Sequence, residues 1–140
     1  MMYSLSIMAI VLLWMISIIH IYWAFGGRWG IGAVIPVKGG GQQAVFVPRK
    51  WGTLCVATLI LLASLIILIQ QGFVAYFQPS SFSKVGSSFC ACVFIARAIG
   101  DFKYVGFFKS IKHSQFAKND TKFYSPLCLF LGFIYLELLF

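Results

Sequence analysis

The chain has 140 residues, 61 % of them hydrophobic and 10 % charged, with eleven Lys and Arg against three Asp and Glu for a formal net charge of +8. Eleven bases and three acids cannot solvate the surface of a soluble domain of this length, so the composition excludes an ordinary soluble fold. A bilayer removes that requirement, and a helix crosses its apolar core with about 20 residues, roughly 17 to 25.

Four stretches meet this length, and they predict an all-α polytopic membrane protein: four transmembrane helices in a bundle, one membrane domain over residues 1–140. The first, 3–25, carries no charge. It lacks a basic leader region, its apolar run is too long, and His20-Ile21-Tyr22-Trp23 is a poor cleavage site, so it reads as a retained span rather than a signal peptide. The first connection, 26–51, is rich in glycine. Gly26, Gly27, Gly30 and Gly32, interleaved with Arg28 and Trp29, predict tightly turned backbone at headgroup level, while Lys38 to Gln43 predicts a mobile tip. A phosphate-cradling loop would need a following Lys and Ser/Thr between a strand and a helix, and neither is there.

The second span, 52–77, is free of charge, with Gln70 and Gln71 near its far end. The third, 82–100, carries Arg97 close to its end and a ridge of small residues four apart: Ser88, Cys92, Ala96 and Gly100. Such a ridge lets helix backbones approach closely in lipid, so this helix is expected either at the centre of the bundle or at a dimer face. In the third connection, 101–123, Phe102, Tyr104, Phe107, Phe108, Ile111 and Phe116 alternate with five lysines and His113. It should lie along the membrane surface with its bases outward, and Lys103, Lys109, Lys112, His113 and Lys118 are the candidate surface for lipid or a partner. The fourth span, 124–140, is the shortest, with Ser125 as cap, Pro126 in the first turn and Glu137 near the end. These are continuous apolar runs rather than alternating ones, which excludes barrel strands.

Charge sets the orientation. Arg28, Lys38, Arg49 and Lys50 lie in the first connection, five lysines lie in the third with Arg97 at its border, and Lys84 alone lies in the second. With four spans the first and third connections share a face, which should be cytoplasmic, leaving both termini on the periplasmic side of a bacterial inner membrane. Trp23, Trp29 and Trp51 fall at the same boundary, as interfacial anchors do. The positive charge therefore points to anionic headgroups, not to nucleic acid.

Ionisable groups inside a span are suspect by default. His20 and Arg97 both lie near the basic ends of their spans, and Asp101 follows Arg97 by four residues, so an Arg97–Asp101 ion pair on one helix face is expected. Tyr22 and Tyr104 complete a candidate polar site of His20, Tyr22, Arg97, Asp101 and Tyr104. It is either a headgroup, anion or proton site, or a structural layer in which Arg97 snorkels to Asp101 and His20 bonds a backbone carbonyl. Glu137 and Lys84, both near the outer face, are expected to pair. Cys55, Cys90, Cys92 and Cys128 form no Cys-x-x-Cys and no His/Cys cluster, so they read as packing residues; no catalytic constellation, metal set or cofactor is implied.

The run His20-Ile21-Tyr22-Trp23-Ala24-Phe25-Gly26-Gly27-Arg28-Trp29-Gly30 and the run from Arg97 through Gly100, Asp101, Lys103 and Gly106 to Lys109 resemble the two signature blocks of a bacterial membrane family, the domain-of-unknown-function family numbered 3995. Phe116 to Thr121, followed by Tyr124 to Cys128, resembles its closing block. The resemblance implies a small four-helix inner-membrane protein, supplies no catalytic residues, and places His20, Arg97, Asp101 and Asp120 within signature blocks. Sequence reasoning thus favours a non-enzymatic accessory or binding protein acting through its basic, aromatic face, with a possible protein partner or homo-oligomer. A small transporter or channel through His20, Arg97 and Asp101 is the alternative, and a membrane enzyme acting on a lipid or quinone the third.

Overall fold

The computed structural model describes residues 2–38 and 43–140. These residues form helices α1 (Met2–Ala24), α2 (Ile31–Val34), α3 (Lys50–Gln70), α4 (Ser81–Ile99), α5 (Gln115–Asn119) and α6 (Ser125–Glu137), with one turn of π-helix, Asp120–Tyr124, joining α5 to α6. The described residues contain no strand beyond a single antiparallel bridge, Val37 with Ala44. The expected tip, Lys38 to Gln43, lies largely outside them.

Three helices, α1, α3 and α4, are long and apolar enough to cross a membrane. None contains proline, and α1 and α3 are apolar around most of their circumference, as helices surrounded by lipid must be. The fourth expected span is different. α6 has 13 residues, about 20 Å at about 1.5 Å per residue, against an apolar core of about 30 Å. It gains length because the π-turn and α5 continue it backwards without a break. The second span is shorter than 52–77: α3 stops at Gln70 and Gly72 turns the chain with φ +70°. The next helix starts with a reciprocal cap, in which Ser80 Oγ accepts from Ser83 N and Ser83 Oγ accepts from Ser80 N.

α1 packs chiefly on α3 and α4 chiefly on α6; α3 joins α4, and α1 touches α6. The core between them includes Leu13, Ile67, Ala91, Leu131, Ile134 and Tyr135. Lipid is as apolar as leucine, so helices associate there through close backbone approach and hydrogen bonds rather than through hydrophobic burial. Both devices are present. A Cβ at Gly132 would meet Ile95 and the carbonyl of Ala91, so α6 crosses α4 at its glycine. Ser17 Oγ donates to the Ala57 carbonyl at 3.0 Å, and Trp14 Nε1 donates to Ser64 Oγ at 3.0 Å, tying α1 to α3.

The small-residue ridge expected to pack α4 does not face the bundle. Ser88, Cys92 and Ala96 are exposed, and Gly100 lies past the helix end. The seam is formed instead by Ser83, Ser87, Cys90, Ala91 and Ala98. Small residues recur four apart in both sets, and stepping one position along a helix rotates the face by about 100°, so spacing alone does not say which ridge turns inward.

Candidate functional site

Beyond Ile99 the chain folds back on itself at two glycines. Gly100 and Gly106 both have φ +89°, and a Cβ on either would overlap the other's strand of the loop, at Val105 O and Ile99 O respectively. Only glycine fits both the conformation and the approach. Asp101 closes the turn by accepting from three backbone amides with Oδ1: Lys103 at 2.9 Å, Tyr104 at 2.7 Å and Val105 at 2.9 Å. Burial acts to raise its carboxyl, but these amides win and hold it below the usual carboxylate range.

The turn delivers Gly106 and Lys109 to Asp120, which is completely buried. Asp120 Oδ2 accepts from Gly106 N at 2.7 Å and from Lys109 Nζ at 3.0 Å, while Oδ1 accepts from Arg97 Nη2 at 2.9 Å. The Lys109 ammonium, only 2 % exposed as a residue, also donates to the Gly106 carbonyl at 2.8 Å and to Thr121 Oγ1 at 2.6 Å. All three ammonium protons thus have partners, which burial of a lysine demands. Burial opposes ionisation of Asp120, yet the Lys109 hydrogen bond, the Arg97 guanidinium and the Gly106 amide outweigh it and place its carboxyl below the ordinary value. The cluster holds two cations and one anion, and Arg97 Nη1 is buried without a partner.

Around this cluster the two basic connections assemble into one cap. α2 packs on α5, and Tyr124 Oη donates to the Ala33 carbonyl at 3.2 Å. Ser114 caps α5 by accepting from Ala117 N. Ser110 Oγ donates to the Phe102 carbonyl at 2.8 Å, holding a left-handed, exposed phenylalanine (φ +61°) whose ring lies beside that of Phe108. A bulky residue in that conformation is strained, and the surrounding bonds maintain it.

Arg97 pairs with Asp120, not with Asp101, because the helix ends before Asp101 and the left-handed Gly100 removes it from the Arg97 face. Lys109 belongs to the buried cluster rather than to the outer surface, and Phe116 turns inward against Tyr124. Lys103, Lys112, His113 and Lys118 are exposed. Lys103 Nζ stands 5.3 Å from the centroid of the half-buried Tyr104 ring. His20 Nδ1 donates to the Ile16 carbonyl at 2.8 Å and its ring meets Trp23 edge-on, while the Tyr22 ring lies over Gly27. No hydrogen bond or ion pair among the described residues joins His20 or Tyr22 to Arg97 or Asp101, and none joins Lys84 to Glu137. The four cysteines are free thiols, and the described residues hold no group of three His, Cys, Asp or Glu side chains able to bind a metal.

Sequence reasoning missed Asp120, Thr121 and Gly106 as members of the site. The signal was available: Asp120 is one of three acids in the chain and sits inside its most basic segment.

The helices and this cap define a helical protein with the composition of a multi-pass membrane protein, its polar cluster gathered at one end. The chain belongs to the family described as protein of unknown function (DUF3995), whose model matches residues 13–135 and so takes in the whole of the cluster. No curated protein and no solved structure matches the chain.

Proposed function

We propose that this protein is a non-enzymatic accessory protein of a bacterial inner membrane, with both termini periplasmic and a cytoplasmic cap that binds anionic phospholipid headgroups. One observation carries the reading. The Arg97–Asp120–Lys109 cluster pairs Asp120 internally and ties the end of α4, the loop after it and the π-turn together. Lys103, Lys112, Lys118 and Lys122 are left outward with the exposed rings of Phe102 and Phe108. Bases held at an anionic surface contribute about 1 kcal/mol each, and aromatic rings suit the same interfacial depth.

The test is lipid composition. The protein is reconstituted in mixed phosphatidylglycerol and phosphatidylcholine bilayers, extracted with its lipid annulus by styrene–maleic acid, and the co-extracted lipids are quantified. Phosphatidylglycerol should be enriched around the wild type and not around a variant with Lys103, Lys112, Lys118 and Lys122 all changed to Gln. An annulus that mirrors the bulk bilayer in both would overturn the reading.

A further inference from the structure

On the outer flank of the α4/α6 pair lies an open groove of about 530 Å³, lined by Ile95, Phe107, Pro126, Leu129, Phe133 and Leu136 among others, all apolar. Beside it Gly132 lets α6 approach α4 closely at Ala91 and at Ile95, one of the lining residues. Its wall at the basic end is Phe107, whose amide donates to the Ala98 carbonyl at 2.9 Å and which follows Gly106, bonded to Asp120. The ion cluster that builds the cap therefore also seats the ring that closes the groove.

Three observations identify what fits. From Pro126 to Leu136 the groove follows α6 for about 15 Å at about 1.5 Å per residue, which is the depth of one leaflet of a core about 30 Å thick. A crossing helix from a second copy would need the full thickness, so the length suits one acyl chain. The groove is also polarised in charge. Lys122, exposed and 5.3 Å from the Phe123 ring centroid, precedes Pro126 by one turn on the same strip of the helix, and the other exposed cap lysines lie at this end as well. At the opposite end Leu136 is followed by the acid Glu137. Lys84, in the first turn of α4, offsets that acid, so an anionic headgroup is favoured at the basic end by the excess of lysines there.

We propose that this groove holds one acyl chain of an anionic phospholipid from the leaflet at the basic end, with its phosphate at Lys122. The proposal rests on the reading of the cap as an anionic-lipid surface and adds to it a single, stoichiometric site. Native mass spectrometry of protein released from phosphatidylglycerol and phosphatidylcholine nanodiscs tests it, with Leu129→Trp to fill the groove, Leu59→Trp on the exposed face of α3 as the matched control, and Lys122→Gln. One phosphatidylglycerol should stay with each wild-type and Leu59→Trp chain, and occupancy should fall about tenfold or more in Leu129→Trp. Lys122→Gln should retain a lipid but lose the preference for phosphatidylglycerol over phosphatidylcholine. Equal retention by Leu129→Trp and Leu59→Trp would overturn the groove assignment. If phosphatidylglycerol is still enriched in the annulus in that case, the proposed function stands without it. Groove-dependent retention with no headgroup preference in the wild type would overturn both the Lys122 assignment and the reading on which it rests. Thermal unfolding of both Trp variants separates a blocked groove from a chain that has not folded.

Discussion

The two ends of the bundle solve one problem with different chemistry. At the end away from the bases, neutral groups tie the helices: Gln70 Nε2 donates to the Leu138 carbonyl at 3.0 Å, Ser83 Oγ donates to Gln70 Oε1 at 2.6 Å, and Gln71 Nε2 donates to Ser6 Oγ at 2.9 Å. A pair of neighbouring glutamines thereby reaches α1, α4 and the end of α6. At the basic end, the equivalent junction between α4, its following loop and the π-turn is ionic. Neutral interhelical bonds in membrane proteins are worth about 0.6 kcal/mol on average, whereas removing one partner of a buried ion pair costs about 3–5 kcal/mol. The neutral clasp is tolerant; the ionic one is costly to break at its single acid, and it joins α4, the loop after it and the π-turn.

The largest effect should come from Asp120→Asn. It keeps the volume but leaves the Lys109 ammonium buried with no anion and the partly exposed Arg97 guanidinium unpaired; the Lys109 part dominates an expected loss of about 3–5 kcal/mol read by unfolding in detergent. Lys109→Met should cost clearly less, about 1–3 kcal/mol. The cluster carries one excess positive charge, so deleting Lys109 leaves a balanced Arg97–Asp120 pair and orphans only neutral acceptors. If the two variants were equally destabilised, the excess-charge account of the cluster would be wrong.

The pH dependence sharpens the contrast. Asp120 has a folded-state carboxyl below its ordinary value, so it contributes stability above the unfolded value of about 3.9 and loses it as pH falls through the lower, folded value. The gap in unfolding free energy between wild type and Asp120→Asn should be constant above about pH 5 and should shrink below about pH 4. A gap that persisted unchanged at acid pH would mean that charge at Asp120 is not what stabilises the junction.

How much of this was readable beforehand follows the same division. The long apolar runs declare α1, α3 and α4 because the bilayer imposes one length on every span. The fourth element was less legible, since Lys118 to Phe123 reads as loop by charge yet continues the helix as its buried acid turns inward through a π-turn. Proximity in sequence suggested Asp101 for Arg97, but a left-handed glycine between helix and acid cancels the four-residue rule. Lys109 looked like one base among five; what distinguishes it is an acid eleven residues away, and a long-range pair of that kind leaves no periodic trace. The inward ridge of α4 was hidden for a related reason, because two small-residue ridges compete on one helix and only the partner helix selects between them.

The smallest predicted effect tests the other half of the comparison. Gln70→Leu removes two interhelical bonds, from Nε2 to Leu138 O and from Ser83 Oγ to Oε1, at the far end of α3. Leucine nearly matches its volume, and the freed Leu138 carbonyl sits at a helix terminus, where headgroups or water can replace the amide. Ser83 Oγ also donates to Ser80 O, so it retains a partner. The expected loss is therefore about 1 kcal/mol, within the range of neutral bonds in membrane bundles. It should be the same at pH 4 and pH 8, because no titrating group takes part. A loss as large as that of Asp120→Asn would show that the neutral clasp, not the ionic cluster, governs the stability of the bundle.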